Sequence, residues 1–418
     1  MASKWNPHIL EDCMDAIIDY RGKTPRKTDC GIPLVTAKII KDGRITPYEE
    51  YIAPEEYDAW MRRGIPLPGD VVMTMEAPLG EVAQLDDTKV ALAQRVITLR
   101  GKRKVLDNIF LKFLMQSRQV QEQIHGRASG TTVLGIKQSE LRKITLLIPP
   151  LSEQKAIAHI LGTLDDKIAA NRRMNETLEQ MAQALFKSWF VDFDPVRAKA
   201  ESRDTGLPPE ISKLFPDFFE NSEFGEIPKG WKLCPLTEVV EVNPRRTLRA
   251  GDIAPYLDMK NTPTQGHCAE DVIERVFTTG IKFQNGDTLL ARITPCLENG
   301  KTAFVDFLEE RQIGWGSTEF IVFTPLPPLP PQFAYFLARS EELRAHAIKN
   351  MTGTSGRQRV PSGCFHSFIL AVPPADIAQC FGKFTAPLME KIKNNVEESR
   401  TLANLRDSLL PKLMSGEL

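Results

Sequence analysis

The 418-residue sequence has seven cysteines but no Cys-x-x-Cys pair. Scattered at 13, 30, 234, 268, 296, 364 and 380, they supply neither a disulfide frame nor a zinc site, and read as reduced thiols buried mostly as small apolar groups. Long apolar stretches are missing too. Runs such as Ile144–Leu151 fall far short of the roughly 18 residues that cross a bilayer. Charge of one sign is also absent: 53 Lys and Arg against 54 Asp and Glu leave a net charge of −1. That excludes a histone-like basic coat but not local patches. Met1–Leu10 lacks the order of charged, apolar and small residues that marks a secretory signal. A soluble cytoplasmic protein without a membrane partner is expected. With 42% apolar and 26% charged residues, general disorder is excluded, and the length suits two or three domains.

Catalytic and cofactor motifs are equally scarce. Gly22-Lys23-Thr24 and Gly300-Lys301-Thr302 imitate the end of a phosphate-binding loop. Its first glycine is replaced by Ile17 and Pro295, so no nest of backbone N–H groups is expected. The six histidines are isolated, and Gly-x-Ser-x-Gly and Gly-x-Gly-x-x-Gly are both missing. No Asn/Asp-Pro-Pro-aromatic motif of the amino-methyltransferase kind occurs. The chain reads as non-catalytic, without a metal or cofactor of its own.

What the sequence does contain is a repeat. The second half shadows the first at an offset of about 224, with slips of a few residues. Trp5 and Leu10 match Trp231 and Leu236; Gly69-Asp70 matches Gly286-Asp287; Leu114-Met115-Gln116-Ser117 matches Leu337-Ala338-Arg339-Ser340. Gly130-Thr131-Thr132 matches Gly353-Thr354-Ser355, and Pro149-Pro150 matches Pro373-Pro374. The period is too long for a solenoid and implies a duplicated domain. Each half has a region of short strands and turns, a Pro-Pro stop, then a long helix. Val71–Met75 and Val90–Arg100 read as strands and Asn108–Gln123 as a helix. In the second half Asp287–Ile293, Lys301–Phe307 and Thr318–Phe323 read as strands, and Gln332–Lys349 as a helix. Asp194–Gly230, mixed in Pro, Gly and charge, reads as a connector with a short helix at most. The expected domains are residues 1–149, a helix over 150–194, a connector over 195–230, a second domain over 231–373 and a second helix over 374–418.

Both long helices carry heptad seams. The first runs through Ile157, Leu161, Leu164 and Ile168, then Leu178, Ala182, Leu185 and Trp189, with Asn171 and Asn175 at its centre. The second runs through Phe381, Thr385, Leu388 and Ile392, then Leu402, Arg406, Leu409 and Leu413, with Asn395 and Ser399 at its centre. Pro387 and Pro411 are expected to kink or end it. Two seams polar at mid-length suggest an antiparallel pair whose centres meet, where buried amides fix register at a cost in stability. The alternative is that these residues face solvent at a kink. A seam from Ile157 to Trp189 would span roughly 50 Å and hold two α/β heads apart.

Basic and amide residues collect in the strand-and-turn regions. Candidates for DNA contact in the first are Arg26, Lys27, Lys38, Arg127, Thr131 and Thr132. In the second they are Arg245, Arg246, Lys260, Arg292, Thr354, Ser355, Arg357, Gln358 and Arg359. Lys and Arg anchor phosphates, while Arg, Gln, Ser and Thr also match base edges. Any one of them could be a solvated charge, but the two Gly-Thr turns recur at equivalent places.

Three stretches resemble the specificity subunits of type I restriction–modification systems. They are Ile148-Pro149-Pro150-Leu151-Ser152-Glu153-Gln154-Lys155-Ala156-Ile157-Ala158, Phe186–Pro195, and Gly225-Glu226-Ile227-Pro228-Lys229-Gly230-Trp231. Pro373-Pro374-Ala375-Asp376 departs from the first by lacking Ser-Glu-Gln. The resemblance implies two α/β target-recognition domains in tandem, each followed by a long helix, the helices forming an antiparallel coiled coil. It implies a subunit that reads an asymmetric bipartite DNA site without methylating or cutting it. Two modification subunits would dock with S-adenosylmethionine to methylate adenine, and restriction subunits would bring ATP and Mg. The competing readings are a coiled-coil scaffold without specific DNA binding, and a nuclease or methyltransferase with a degenerate motif.

Overall fold

The computed structural model describes residues 5–20, 24–354 and 356–417. The chain forms two compact units, Met1–Ala169 with Ser399–Leu418, and Ala170–Glu398. Both are mixed α/β.

The first unit runs through β1 (Asn6–Ile9), β2 (Met14–Asp19), β3 (Val71–Met75), β4 (Leu79–Gln84) and β5 (Val96–Gly101). Then come α1 (Asn108–Gln116), α2 (Arg118–Gly126), β6 (Thr145–Ile148) and α3 (Leu151–Phe190). A sheet in the order β2-β5-β3-β4 is antiparallel throughout, with Leu99 opposite both Ile17 and Val71. Alternation along these strands sends Val71, Met73, Ile97 and Leu99 into a core with Phe110, Phe113 and Leu114 of α1. Val72, Ala83 and Val96 face a second core with Leu34, Val35, Ala91 and Leu92. β1 pairs with β6 from Asn6–Ile148 to Ile9–Thr145, so the domain's chain enters and leaves on neighbouring strands.

The second unit repeats this plan in β7 (Lys232–Pro235), β8 (Val240–Val242), β9 (Thr288–Ala291), β10 (Thr302–Phe304) and β11 (Phe320–Pro325). α4 (Pro331–Arg339), α5 (Glu341–Lys349), β12 (Ile369–Val372) and α6 (Ala375–Ser415) follow. Its sheet order, β8-β11-β9-β10, matches the first, and β7 pairs with β12 as β1 does with β6. Each repeated Gly-Asp turn buries its aspartate. Asp70 accepts from the Leu67 N–H and pairs with Arg100, while Asp287 accepts from the Gln284 N–H and pairs with Arg246. The arginine has moved between the copies, from β5 to the segment after β8. The position matching Arg100 is Thr324, whose hydroxyl donates to Asp287 at 2.6 Å.

α3 and α6 pack together antiparallel. In the first unit Asp165 of α3 accepts from Lys112 of α1 and, at 2.7 Å, from Arg406 of α6. Ile157 and Leu161 share a core there with Leu413 and Met414. In the second unit Asn395 donates to the Asn175 amide oxygen at 2.8 Å, and Asn171 to Glu398 at 2.7 Å. Asn171 and Asn395 are both 1% exposed, so this polar layer lies inside the seam. Ser399 is half-buried in the first unit's part of α6.

Several local expectations are corrected. The stretch Val90–Arg100 is two strands: Ala91–Leu92 pairs parallel with Leu34-Val35, and Arg95, at φ 71°, turns the chain into β5. The helices read as single each break at a serine, Ser117 and Ser340, whose extended backbones (ψ 146° and 149°) start a second helix. Those serines belong to the repeat itself. Pro387 and Pro411 do not end α6, which runs as one element from Ala375 to Ser415. The lost N–H bonds are outweighed by burial of Phe381, Met389 and Ile392 around one proline and Leu413 and Met414 beyond the other. The connector is structured: two short helices, Asp194–Ala200 and Pro209–Ser212, and a hairpin, Phe219–Ser222 with Gly225–Pro228, anchor through Val196, Ile211 and Phe215. Of the cysteines only Cys13 is buried; Cys30 is exposed and the rest are half-buried, all unpaired.

A buried polar cluster joins the second unit's domain to α3. The Tyr335 hydroxyl donates to Glu179 at 2.5 Å, Arg339 donates to Tyr335, and His267 lies 3.3 Å from Asp306 and 3.8 Å from Glu179. Burial opposes a charge on His267, but Asp306, Cys268 and Glu179 hold its imidazolium well above the ordinary histidine range. A histidine with a raised folded pKa contributes stability that is complete below its unfolded value, about 6.5, and is lost as pH rises through the folded one. His267→Gln should therefore destabilise the second unit most below pH 6.5, with the gap from wild type closing at alkaline pH in urea titrations. A gap that widens with pH would contradict this.

Candidate nucleic-acid interface

The two Gly-Thr turns are held by one backbone scheme, used twice. In the first unit the Met75 N–H donates to Arg95 O (2.7 Å) and the Ile136 N–H to Met75 O (3.0 Å). Ser129 and Gly135 exchange both bonds, at 2.9 and 3.1 Å. In the second unit the Arg292 N–H donates to Glu319 O (2.9 Å) and the Val360 N–H to Arg292 O (2.8 Å). Thr352 and Arg359 exchange theirs at 3.0 and 2.8 Å. Each scheme pins a loop at its base and leaves residues 130–134 in the first, and 353, 354 and 356–358 in the second, beyond that base. A glycine follows the first pinning residue in both, with φ of 131° at Gly130 and 122° at Gly353. A Cβ on Gly130 would stand 2.1 Å from the Val133 carbonyl oxygen, so the loop folds back where only glycine fits.

The side chains on this common frame differ. In the first unit Arg95 pairs with Glu76 at 2.8 Å beside a cleft of about 350 Å³ lined by Glu76, Gln94, Arg95, Ser129, Gly135 and Lys137. Gln94 donates to Thr24 at 3.2 Å, bringing another segment to its rim. In the second unit the position of Arg95 is Glu319, which takes Arg359 in a bidentate pair with contacts of 2.6 to 2.9 Å. That pairing holds the Arg359 guanidinium above its ordinary range. The shared position carries opposite charge in the two copies, Arg95 and Glu319, and its partner comes from different places: Glu76 corresponds to Ile293, and Arg359 to Gly135.

The expected contact residues fall in several places. Thr131, Thr132 and Arg127 are exposed at the first loop, Arg127 lying 3.5 Å from Glu140. Thr354, Arg357 and Gln358 belong to the second loop, with Gln358 bound through its backbone to Thr294. Ser355 lies outside the described residues, as do Arg21, Gly22 and Lys23. Arg26, Arg245 and Lys260 are exposed elsewhere in their units, and Lys27 and Lys38 both approach Glu50, at 2.8 and 3.8 Å. Arg292 supplies its backbone to the loop base, and its buried Nε has no hydrogen-bond partner. Arg246 is withdrawn: its side chain is 9% exposed and spends its guanidinium on Asp287 and Thr324. Sequence reasoning missed Glu76, Arg95 and Glu319, because opposite charges at one matching position, with partners at unmatched ones, look like mismatches in a repeat.

Residues 22–180 match the family described as type I restriction modification DNA specificity domain. Similarity continues beyond them. The MjaIX specificity subunit of a type I restriction enzyme from Methanocaldococcus jannaschii is 27% identical over 374 residues, 84% of this chain and 78% of its own. The HindI specificity subunit from Haemophilus influenzae is 25% identical over 74% of this chain and 77% of its own. The chain is similar to the type I restriction–modification specificity subunits. The fold agrees: a solved type I S subunit from M. genitalium superposes with a TM-score of 0.56 over 98% of this chain and 96% of that one, at 15% identity. Among the described residues no three His, Cys, Asp or Glu side chains are grouped to hold a metal ion, and no helix is long and apolar enough to cross a membrane.

Proposed function

We propose that this chain is a specificity subunit, the cytoplasmic DNA reader of a type I restriction–modification complex, each unit reading one half of an asymmetric bipartite site. The observation that carries the reading is the pair of pinned loops: one backbone frame, used twice, with unlike side chains. A duplicated frame suits the two ends of one duplex, and unlike tips suit unlike sequences. In this reading Arg127 and exposed lysines such as Lys38 position the phosphates, while the loops meet base edges.

The long helices supply the rest. Their pairing sets the gap between the half-sites, and their outer faces take two adenine-N6 modification subunits and, beyond them, restriction subunits. Exposed apolar side chains at equivalent places on the two helices, Ile160 with Phe384 and Met181 with Leu405, support such docking. S-adenosylmethionine would arrive on the modification subunits, and ATP and Mg on the restriction subunits.

Binding of the purified chain with its modification subunits to a random duplex pool tests the reading. Sequence-selective binding should weaken steeply with salt as phosphate contacts release counterions. Selection of no sequence would reject it in favour of a protein-binding scaffold. Inserting one heptad after Asn175 in α3 is expected to widen the gap between unchanged half-sites. An unchanged gap would remove the helices' measuring role.

A further inference from the structure

We infer that the loop tip of the first unit, Val133-Leu134, reads thymine through its 5-methyl group, while the second unit's tip, Arg357-Gln358, reads purine edges by hydrogen bonds. The inference rests on the DNA-reading role proposed above and assigns the chemistry each loop recognises.

Val133 is 50% exposed and Leu134 54%, both at the crest of a loop whose base is fixed by the Ser129–Gly135 exchange. Neither contributes to a buried core, and neither is needed to close the turn, since Gly130 and the backbone exchange do that. Two adjacent branched apolar side chains kept in water are costly unless a partner covers them. The surroundings limit what that partner is. Glu76, Gln94, Arg95 and Lys137 line the adjoining cleft, and Arg127 and Thr131 flank the loop, so an apolar protein groove would meet charge and amide on every side. A major groove offers the opposite mixture: phosphates and polar base edges surrounding isolated methyl groups, which only thymine carries.

The second unit supplies the comparison. On the same frame its tip carries Arg357 and Gln358 instead of Val133 and Leu134. The Gln358 backbone is fixed to Thr294, so its side chain leaves from a held point. Arginine pairs with the O6 and N7 of guanine and glutamine with the N6 and N7 of adenine, and neither requires a methyl group. The two half-sites should therefore respond differently to loss of the thymine methyl.

Duplexes enriched from a random pool by the full chain with its modification subunits provide the test, resynthesised with deoxyuridine for thymidine in one half at a time. Uracil in the half relaxed by Val133→Ala with Leu134→Ala should weaken binding about fourfold per contacted methyl group, the worth of one buried carbon. In the half relaxed by Arg357→Ala it should change little. The Val133→Ala, Leu134→Ala variant should bind thymine and uracil duplexes alike, and both substituted residues are exposed, so folding is not at stake. Selective binding that ignores uracil in both halves, or a first half-site made only of G·C pairs, would overturn the inference and leave the DNA-reading role standing. Enrichment of no sequence at all would overturn both.

Discussion

Arg246→Ala is expected to cost the second unit about 3–5 kcal/mol, enough to unfold it ahead of the first. Asp287 is fully buried, and Arg246 is 9% exposed. Removing the guanidinium leaves a buried carboxylate with the Thr324 hydroxyl and one backbone N–H as partners. Water reaches it poorly, so the penalty is that of an uncompensated charge rather than of one lost hydrogen bond. The matching pair sets the scale. Arg100 is 21% exposed, so Arg100→Ala should cost the first unit less, because solvent can replace its outer contacts. Hydrogen exchange on the full chain separates the two cases. Arg246→Ala should raise exchange in β9 and β11 and spare β3 and β5. Equal losses from the two substitutions would show that burial does not decide them.

Exchanging residues 231–373 for the corresponding domain of a type I specificity subunit is expected to rewrite one half-site completely and leave the other intact. The geometry favours a cassette: β7 and β12, at its two ends, are hydrogen-bonded neighbours, so a graft changes two adjacent crossings. The exchange carries one condition. Glu179 stays behind on α3 while Tyr335 and His267 leave with the domain. A donor without equivalents would strand a buried carboxylate, and restoring Tyr335 and His267 should then rescue folding without restoring the old half-site. A change in both half-sites would mean that the two units do not read independently.

The duplication was legible in the sequence because it rests on residues whose backbone role is strict. Gly130 and Gly353 take conformations that side chains rarely adopt, and Asp70 and Asp287 close identical turns. The heptad seam was legible because Ile157, Leu161, Ile168, Ala182 and Trp189 are buried at its spacing. What escaped was whatever moved between copies. The arginine that satisfies the buried aspartate sits on β5 in one unit and beyond β8 in the other, so Arg246 looked free in sequence. One loop-base position changed its charge and took its partner from elsewhere, so Arg95 and Glu319 appeared unrelated. The connector escaped for a different reason: its order comes from Val196, Ile211 and Phe215 packing beside Trp189 and Trp231, which no local period announces.

The most direct measurement of the central claim is a map of adenine methylation in cells holding this chain and its modification subunit, against cells lacking this chain alone. A two-part motif with unlike halves, present only when the chain is present, is the expected result. Methylation of the same motif without the chain would place sequence recognition in another subunit and contradict the account.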